Sequence, residues 1–196
     1  MLEKIQQDLA GAIDVYQAMS EDVNLQKQLM DLIQWCLNAL RHGGKIIFAG
    51  NGGSFADSQH LAAEFVSRLQ FDRAPLAAIA LATNSSSMSA IGNDYGYEQV
   101  FSRELQAIGS ANDVFIPITT SGNSHNIIAA IDVARKLDVR TMCFTGKTGG
   151  RIADICPCLH VPSTRTERIQ EGHILLGHIL CGIVEAEFFQ MGHLET

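Results

Sequence analysis

The chain is short of positive charge, of long apolar runs and of paired cysteines, and each shortage closes a class of function. Fourteen Lys and Arg stand against 21 Asp and Glu, a formal net charge of −7. A non-specific nucleic-acid or anionic-membrane binder needs a basic face, which this balance does not supply. The longest apolar stretch, Ile174 to Val184, runs for 11 residues and carries His178, well below the ~20 that a membrane span needs. The opening Met1-Leu2-Glu3-Lys4-Ile5-Gln6-Gln7-Asp8 is polar and periodic, unlike a secretory signal, so a cytoplasmic location is expected. Five cysteines (36, 143, 156, 158 and 181) are an odd number and read as reduced, buried thiols. Cys156-Pro157-Cys158 is shorter than C-x-x-C and lacks a second pair to complete a Cys₄ site, so it reads as structural.

What is present is the balance of one globular domain. With 196 residues, 46% hydrophobic and 18% charged, the chain can bury a core without staples. Leu2, Ile5, Leu9, Ile13 and Tyr16 recur at helical steps, as do Leu25, Leu29, Leu32, Cys36 and Leu40. Gly43-Gly44 ends the second helix. Residues 1–42 therefore predict a helical hairpin, whose stripes suit packing on the domain or on another subunit.

From 43 to 196 the pattern becomes that of an α/β core. Strands are expected at Lys45–Ala49, Ala77–Ala82, Val114–Thr119, Arg140–Phe144 and Leu159–Val161. Helices are expected from Ser54 to about Arg68, along Phe101, Leu105 and Ile108, along Ile127, Ile128, Ile131 and Ala134, and from about Arg165 to Met191. Five strands with helical crossovers predict a parallel, doubly wound, flavodoxin-like sheet within a single domain.

Two loops suit an anion. Gly50-Asn51-Gly52-Gly53-Ser54 lies between the first strand and its helix. Its glycines let backbone amides approach a ligand, a helix N-terminus stands behind them, and Ser54 can cap and donate. Thr119-Thr120-Ser121-Gly122-Asn123-Ser124 follows the third strand with four hydroxyls in its six residues. A tight turn or a plain N-cap is the alternative for each. If the strand order is 2-1-3-4-5, both loops flank the switch point where such sheets bind ligands. Walker A and G-x-G-x-x-G spacings are missing, which favours a small phosphorylated metabolite over a nucleotide.

His60 and Glu64 stack on one face of the helix after the first loop, about 6 Å apart along its axis. They suit a divalent metal or an exposed ion pair. On the last helix, Gln170 and His178 are about 80° off a common face, and Glu171 aligns better with His178. Spacing leaves that choice open. His42, His125, His160 and His193 read as surface residues, His173 as structural and Trp35 as packing.

Four separated motifs nevertheless occur in a recognisable order: GNGGSxxDxxHxxxEF (50–65), GNDYGYxxxFSR (92–103), TSGNS (120–124) and RIQEGHxxxxH (168–178). Together they resemble the phosphoheptose isomerases, which are sugar-isomerase (SIS) domain proteins, over nearly the whole chain. The resemblance implies a homotetramer with active sites shared between subunits. It also implies isomerisation of sedoheptulose 7-phosphate to D-glycero-D-manno-heptose 7-phosphate, for the heptose of lipopolysaccharide. By position it implies one zinc ion per subunit on His60, Glu64, Gln170 and His178, with Glu64 and His178 as the acid–base pair. Sugar-phosphate contacts are implied at Asn51, Gly52, Gly53, Ser54, Glu64, Asn93, Asp94, Thr119, Thr120, Ser121, Ser124 and Gln170. Thr119 stands where many relatives have serine, and Glu167 where some have aspartate. Pro162-Ser163-Thr164-Arg165 looks more like a non-catalytic branch that binds the replication initiator DnaA; that branch lacks the glutamate corresponding to Glu64, which this chain retains.

Overall fold

The computed structural model describes residues 1–189, so His193 and the expected helix end at Met191 lie outside the described residues. Helices α1 (Leu2–Glu21) and α2 (Val23–Arg41) form the N-terminal hairpin. Asp22 separates them and caps α2, its carboxylate accepting from the N–H groups of Asn24 and Leu25. The stripe of α2 is buried in this chain's own core, at Leu25, Leu29, Leu32 and Cys36. That of α1 is not: Leu2, Ile5, Leu9 and Ile13 are 56–68% exposed.

The core alternates β1 (Ile46–Gly50), α3 (Gly53–Val66), β2 (Ala78–Ala80), α4 (Ser85–Tyr95), α5 (Val100–Ile108), β3 (Val114–Ile118), α6 (His125–Lys136), β4 (Arg140–Thr141), β5 (Cys143–Thr145), β6 (Cys158–His160) and α7 (Thr166–Phe188). The sheet is parallel, in the order β2-β1-β3-β5-β6, with β4 beside β3. The fourth expected strand is thus divided at Met142, whose N–H still donates to the carbonyl of Phe115. With β4 and β5 taken as one strand, the order is the 2-1-3-4-5 of a doubly wound sheet.

Side chains alternate between two cores, as a period of two requires. Ile46, Phe48, Val114, Ile116 and Phe144 face α2, α3 and α7. Ile47, Ala49, Phe115 and Cys143 face α5 and α6. The helices that follow β1 and β3 therefore lie on opposite faces. Helix α4 had no apolar stripe to announce it: none of its residues is buried, and Met88 and Ile91 are the two that pack against the second core. Its start is marked by Asn84, whose side-chain oxygen accepts from the N–H groups of Ser86 and Ser87. All five cysteines are free and buried.

A buried ion pair ties the end of α3 to α7. Arg73 Nε donates to Glu185 Oε1 at 2.9 Å, and both side chains are at most 3% exposed. Glu185 also accepts from the N–H groups of Leu69 and Gln70. The Arg73 guanidinium donates in addition to the carbonyls of Glu64, Phe65, Ser67 and Ala74, closing off the carbonyl end of α3. Glu185→Gln leaves that guanidinium buried without its counter-charge, which should cost about 3–5 kcal/mol in chemical denaturation.

His173 offers a second test of the core. Its ring is fully buried against Phe144, with no hydrogen-bond partner for either nitrogen among the described residues. Burial pushes its pKa down to about 4. Between that value and the ~6.5 of an unfolded chain, the unfolded state takes up a proton that the folded state refuses. Stability should fall as pH drops through this window, by roughly 3 kcal/mol from this group at its lower end. His173→Leu should flatten that part of the profile, measured as denaturation midpoints between pH 7 and 4.5.

Candidate active site

Strand β1 ends at Gly50, and the chain turns through Asn51 and Gly52 into α3. Gly52 caps the helix at φ +58°, and Ser54, the expected cap, sits inside the first turn, donating its N–H to the carbonyl of Asn51 at 3.0 Å. A cap at Ser54 is therefore corrected to Gly52: the turn needs a left-handed residue there, which glycine accepts without cost. A side chain on Gly53 would run into the carboxamide of Gln170, which packs closely on this loop from α7. After β3 the second loop enters α6 through Ser124, which makes no side-chain cap bond. Its Oγ lies instead 3.3 Å from Thr119 Oγ1.

The two loops face each other across a cavity of about 300 Å³. Asn51, Gly52, Gly53 and Ser54 line one side, and Thr119, Thr120, Ser121 and Ser124 the other. Thr166 and Gln170 of α7 close it. The first-turn N–H groups of two helices point their partial positive charge at this space. An anion fits it by hydrogen bonding and by field, without any lysine or arginine in the lining.

Helix α3 leads away from the cradle to the second group. His60 Nε2 lies 3.2 Å from Glu64 Oε1 and 2.9 Å from His178 Nε2. One donor atom from each of the three lies within 4.8 Å of the others. Helix α7 brings His178 here because Gly177 packs on Leu61, where a Cβ would strike the leucine side chain. A tetrahedral zinc holds its nitrogen and oxygen donors about 3.3–3.5 Å apart. The His60–Glu64 and His60–His178 separations need to open by only a few tenths of an ångström, and the third lies within 4.8 Å, so the three side chains fit such an ion.

Other expected residues fall elsewhere. Gln170 stands at the cradle, two turns of α7 and about 12 Å of axial rise from His178. Glu171, the better partner on helical spacing, is bound to Arg168 at 2.6 Å. Asn93 and Asp94 lie in the last turn of α4. They are exposed, hydrogen-bonded to each other at 2.8 Å, and line a separate, shallow concavity with Ser85, Ser86 and Ser89. Pro162–Arg165 leads into α7, where Arg165 pairs with Asp8 of α1 at 2.9 Å. His160 is half-buried rather than a surface residue, its Nδ1 3.1 Å from the carbonyl of Gly146.

Two residues near the site carried no earlier expectation. Asp57, one turn before His60, has an Oδ2 with no hydrogen-bond partner among the described residues, and burial raises its pKa. Asn126, 4% exposed, exchanges two hydrogen bonds with Asn51. A single polar residue in a helix's first turn gives no periodic signal; the Asp of the GNGGSxxD motif was visible but had no partner in sequence.

Comparison with known proteins agrees with this geometry. Residues 11–146 match the model of the SIS domain. The chain is 46% identical over 191 residues to a phosphoheptose isomerase of Aneurinibacillus thermoaerophilus, covering 97% of this chain and 96% of that one. The solved phosphoheptose isomerase of Neisseria gonorrhoeae superposes with a TM-score of 0.85 at 41% identity, covering 93% of this chain and 98% of that one. That of Francisella tularensis superposes at 0.89 with 32% identity, over 94% and 97%. A cradle at the switch point of the sheet, a His–Glu–His cluster two turns above it and this similarity along almost the full length agree on one assignment: the chain belongs to the SIS-domain family, among the phosphoheptose isomerases.

Proposed function

We infer that this protein is an aldose–ketose isomerase that converts sedoheptulose 7-phosphate to D-glycero-D-manno-heptose 7-phosphate, for the heptose of lipopolysaccharide. One geometric fact carries the reading: a carboxylate and two imidazoles converge on the same helix that begins at the phosphate cradle. The reaction moves a hydrogen from C1 to C2 through an enediol while the carbonyl passes from C2 to C1. The cradle grips the phosphate with backbone N–H groups and the hydroxyls of Ser54, Thr119, Thr120, Ser121 and Ser124, turning binding energy into orientation at the far end. Glu64 takes the proton from C1 of the open-chain ketose, and His178 acts as the partner acid–base.

A divalent ion, for which we propose zinc, would be held by His60, Glu64 and His178, and would polarise the carbonyl and the neighbouring hydroxyl. Glu64 can serve as ligand and base because it has two oxygens: Oε1 faces His60, and Oε2 remains for the proton. The working location proposed is the cytoplasm; no helix among the described residues is long and apolar enough to cross a membrane.

The uncovered face of α1 supports a further part of the reading, a homotetramer with sites shared between copies. Four aliphatic side chains on one face of a 20-residue helix stay more than half exposed, and burying such a stripe against a second copy gives about 25 cal/mol per Å². In such an assembly the exposed Asn93 and Asp94 would reach the sugar of a neighbouring site. Leu9→Glu with Ile13→Glu should give a smaller species in sedimentation; an unchanged assembly would remove α1 from the interface.

The activity itself is tested by incubating the protein with sedoheptulose 7-phosphate, with and without chelator, and identifying the product. Conversion should be lost on chelation and restored by zinc. Glu64→Gln should lower turnover by about 10²–10⁴-fold with the fold intact. Near-normal turnover by that variant would remove Glu64 as the base, and no conversion by the metal-loaded wild type would overturn the assignment.

A further inference from the structure

The cradle poses a physical problem. It brings the N-termini of α3 and α6 to one cavity, and each carries about half a positive charge of the same sign. With an anion between them this is favourable. Before it arrives, the two ends repel, and something else has to hold the loops at their working separation.

The side chains of Asn51 and Asn126 make that connection. Asn51 Nδ2 donates to Asn126 Oδ1 at 2.9 Å, and Asn126 Nδ2 donates to Asn51 Oδ1 at 2.9 Å. This closed pair joins the loop after β1 to the second residue of α6. The Tyr97 hydroxyl adds a third bond, donating to Asn51 Oδ1 at 3.1 Å. Asn51 Oδ1 thus accepts two hydrogen bonds, which fills its two lone pairs. The part of the Asn51 side chain left over is one N–H donor. A carboxamide free to rotate would offer its oxygen to the cavity half the time, and an oxygen repels phosphate. Held this way, it offers only the donor. Asn126 is 4% exposed and lines a separate concavity on the other side of Asn51, so its side chain would act on an anion in the cradle through Asn51.

We propose that Asn126, acting with Tyr97 on the same Asn51 oxygen, is a positioning residue that locks the two phosphate loops together and fixes the Asn51 carboxamide as a donor before the substrate binds. This rests on the reading of the cavity as a phosphate cradle. Preorganisation of this kind removes an ordering cost from binding rather than adding a contact.

The test uses inorganic phosphate as the probe, measured as an inhibition constant against the sugar phosphate and by calorimetry. Asn126→Ala should weaken phosphate about three- to tenfold, the range of one or two hydrogen bonds, and raise KM for the sugar phosphate in parallel, with kcat changed less than KM. Asn126→Asp should weaken it more, since a carboxylate cannot donate to Asn51 Oδ1 and adds negative charge behind the anion. Tyr97→Phe, at a side chain exposed enough not to be needed for folding, should give a smaller loss in the same direction. In an Asn51→Ala background, Asn126→Ala should have almost no further effect, because its route to the anion is gone; two independent structural defects would add instead. Unchanged phosphate affinity in Asn126→Ala and Tyr97→Phe, or full additivity with Asn51→Ala, would overturn the lock while leaving the cradle standing. A wild type that does not bind phosphate would overturn the cradle and the lock together.

Discussion

Two helix ends of like sign, brought side by side by the topology of the sheet, set the terms for the rest of this molecule. Parallel strands with right-handed crossovers put the helices after β1 and β3 on opposite faces, and their N-termini meet where the winding reverses. The chain meets the resulting concentration of N–H donors with glycines, hydroxyls and carboxamides, and with no basic side chain in the cavity lining. Backbone donors do not move with rotamers and keep their orientation without a ligand. The preference of this cavity for an anion is therefore set by the backbone, and side chains refine it.

The reacting end is built by a different interaction. Glu64 and His178 belong to α3 and α7, and what keeps those helices in register is the buried Arg73–Glu185 pair together with the close packing of Gly177 on Leu61. One of the Arg73 hydrogen bonds goes to the carbonyl of Glu64 itself. Buried pairs of this kind contribute little net stability once desolvation is counted. Their value here is geometric: five donors in a fixed fork define where the last turn of α3 ends. A carboxylate that abstracts a proton has to be placed within a few tenths of an ångström, and a loosely ended helix would not hold it there.

How much of this could be read from the residues alone depended on periodicity. The alternation of apolar runs with helical stripes located the sheet, the two loops at its switch point and, among the described residues, six of the seven α-helices, because each of those carries a periodic apolar face, even where, as in α1, that face stays exposed. Helix α4 has no such face, and no helix was expected there; its one local mark is the Asn84 cap. Met142 divides a strand without changing its hydrophobicity, so the division left no trace in the pattern. In the site, His60 and Glu64 are four residues apart and declared themselves, whereas His178 joins them from 118 residues away through packing that no local spacing encodes. Glu171 misled for the same reason: spacing reports which residues share a helical face, not that Arg168 has already engaged one of them. Asn126 was silent because its meaning lies wholly in its partner across the cradle.

Gln170 shows what a single chain can and cannot complete. It is eight residues before His178 on one helix, and side chains on a helix lean toward its N-terminus, so that Gln170 leans away from the cluster. Its carboxamide is spent beside Gly53, at the end that grips. An ion held by His60, Glu64 and His178 has its donors within 4.8 Å of one another, and a rise of about 12 Å puts Gln170 of the same chain out of reach. If a glutamine does complete that coordination, it has to come from another copy, and the face through which copies would meet includes the uncovered stripe of α1. Along α7, Thr166 and Gln170 line the cavity and His178 joins the His–Glu–His cluster two turns further on, so one helix ties the two features together.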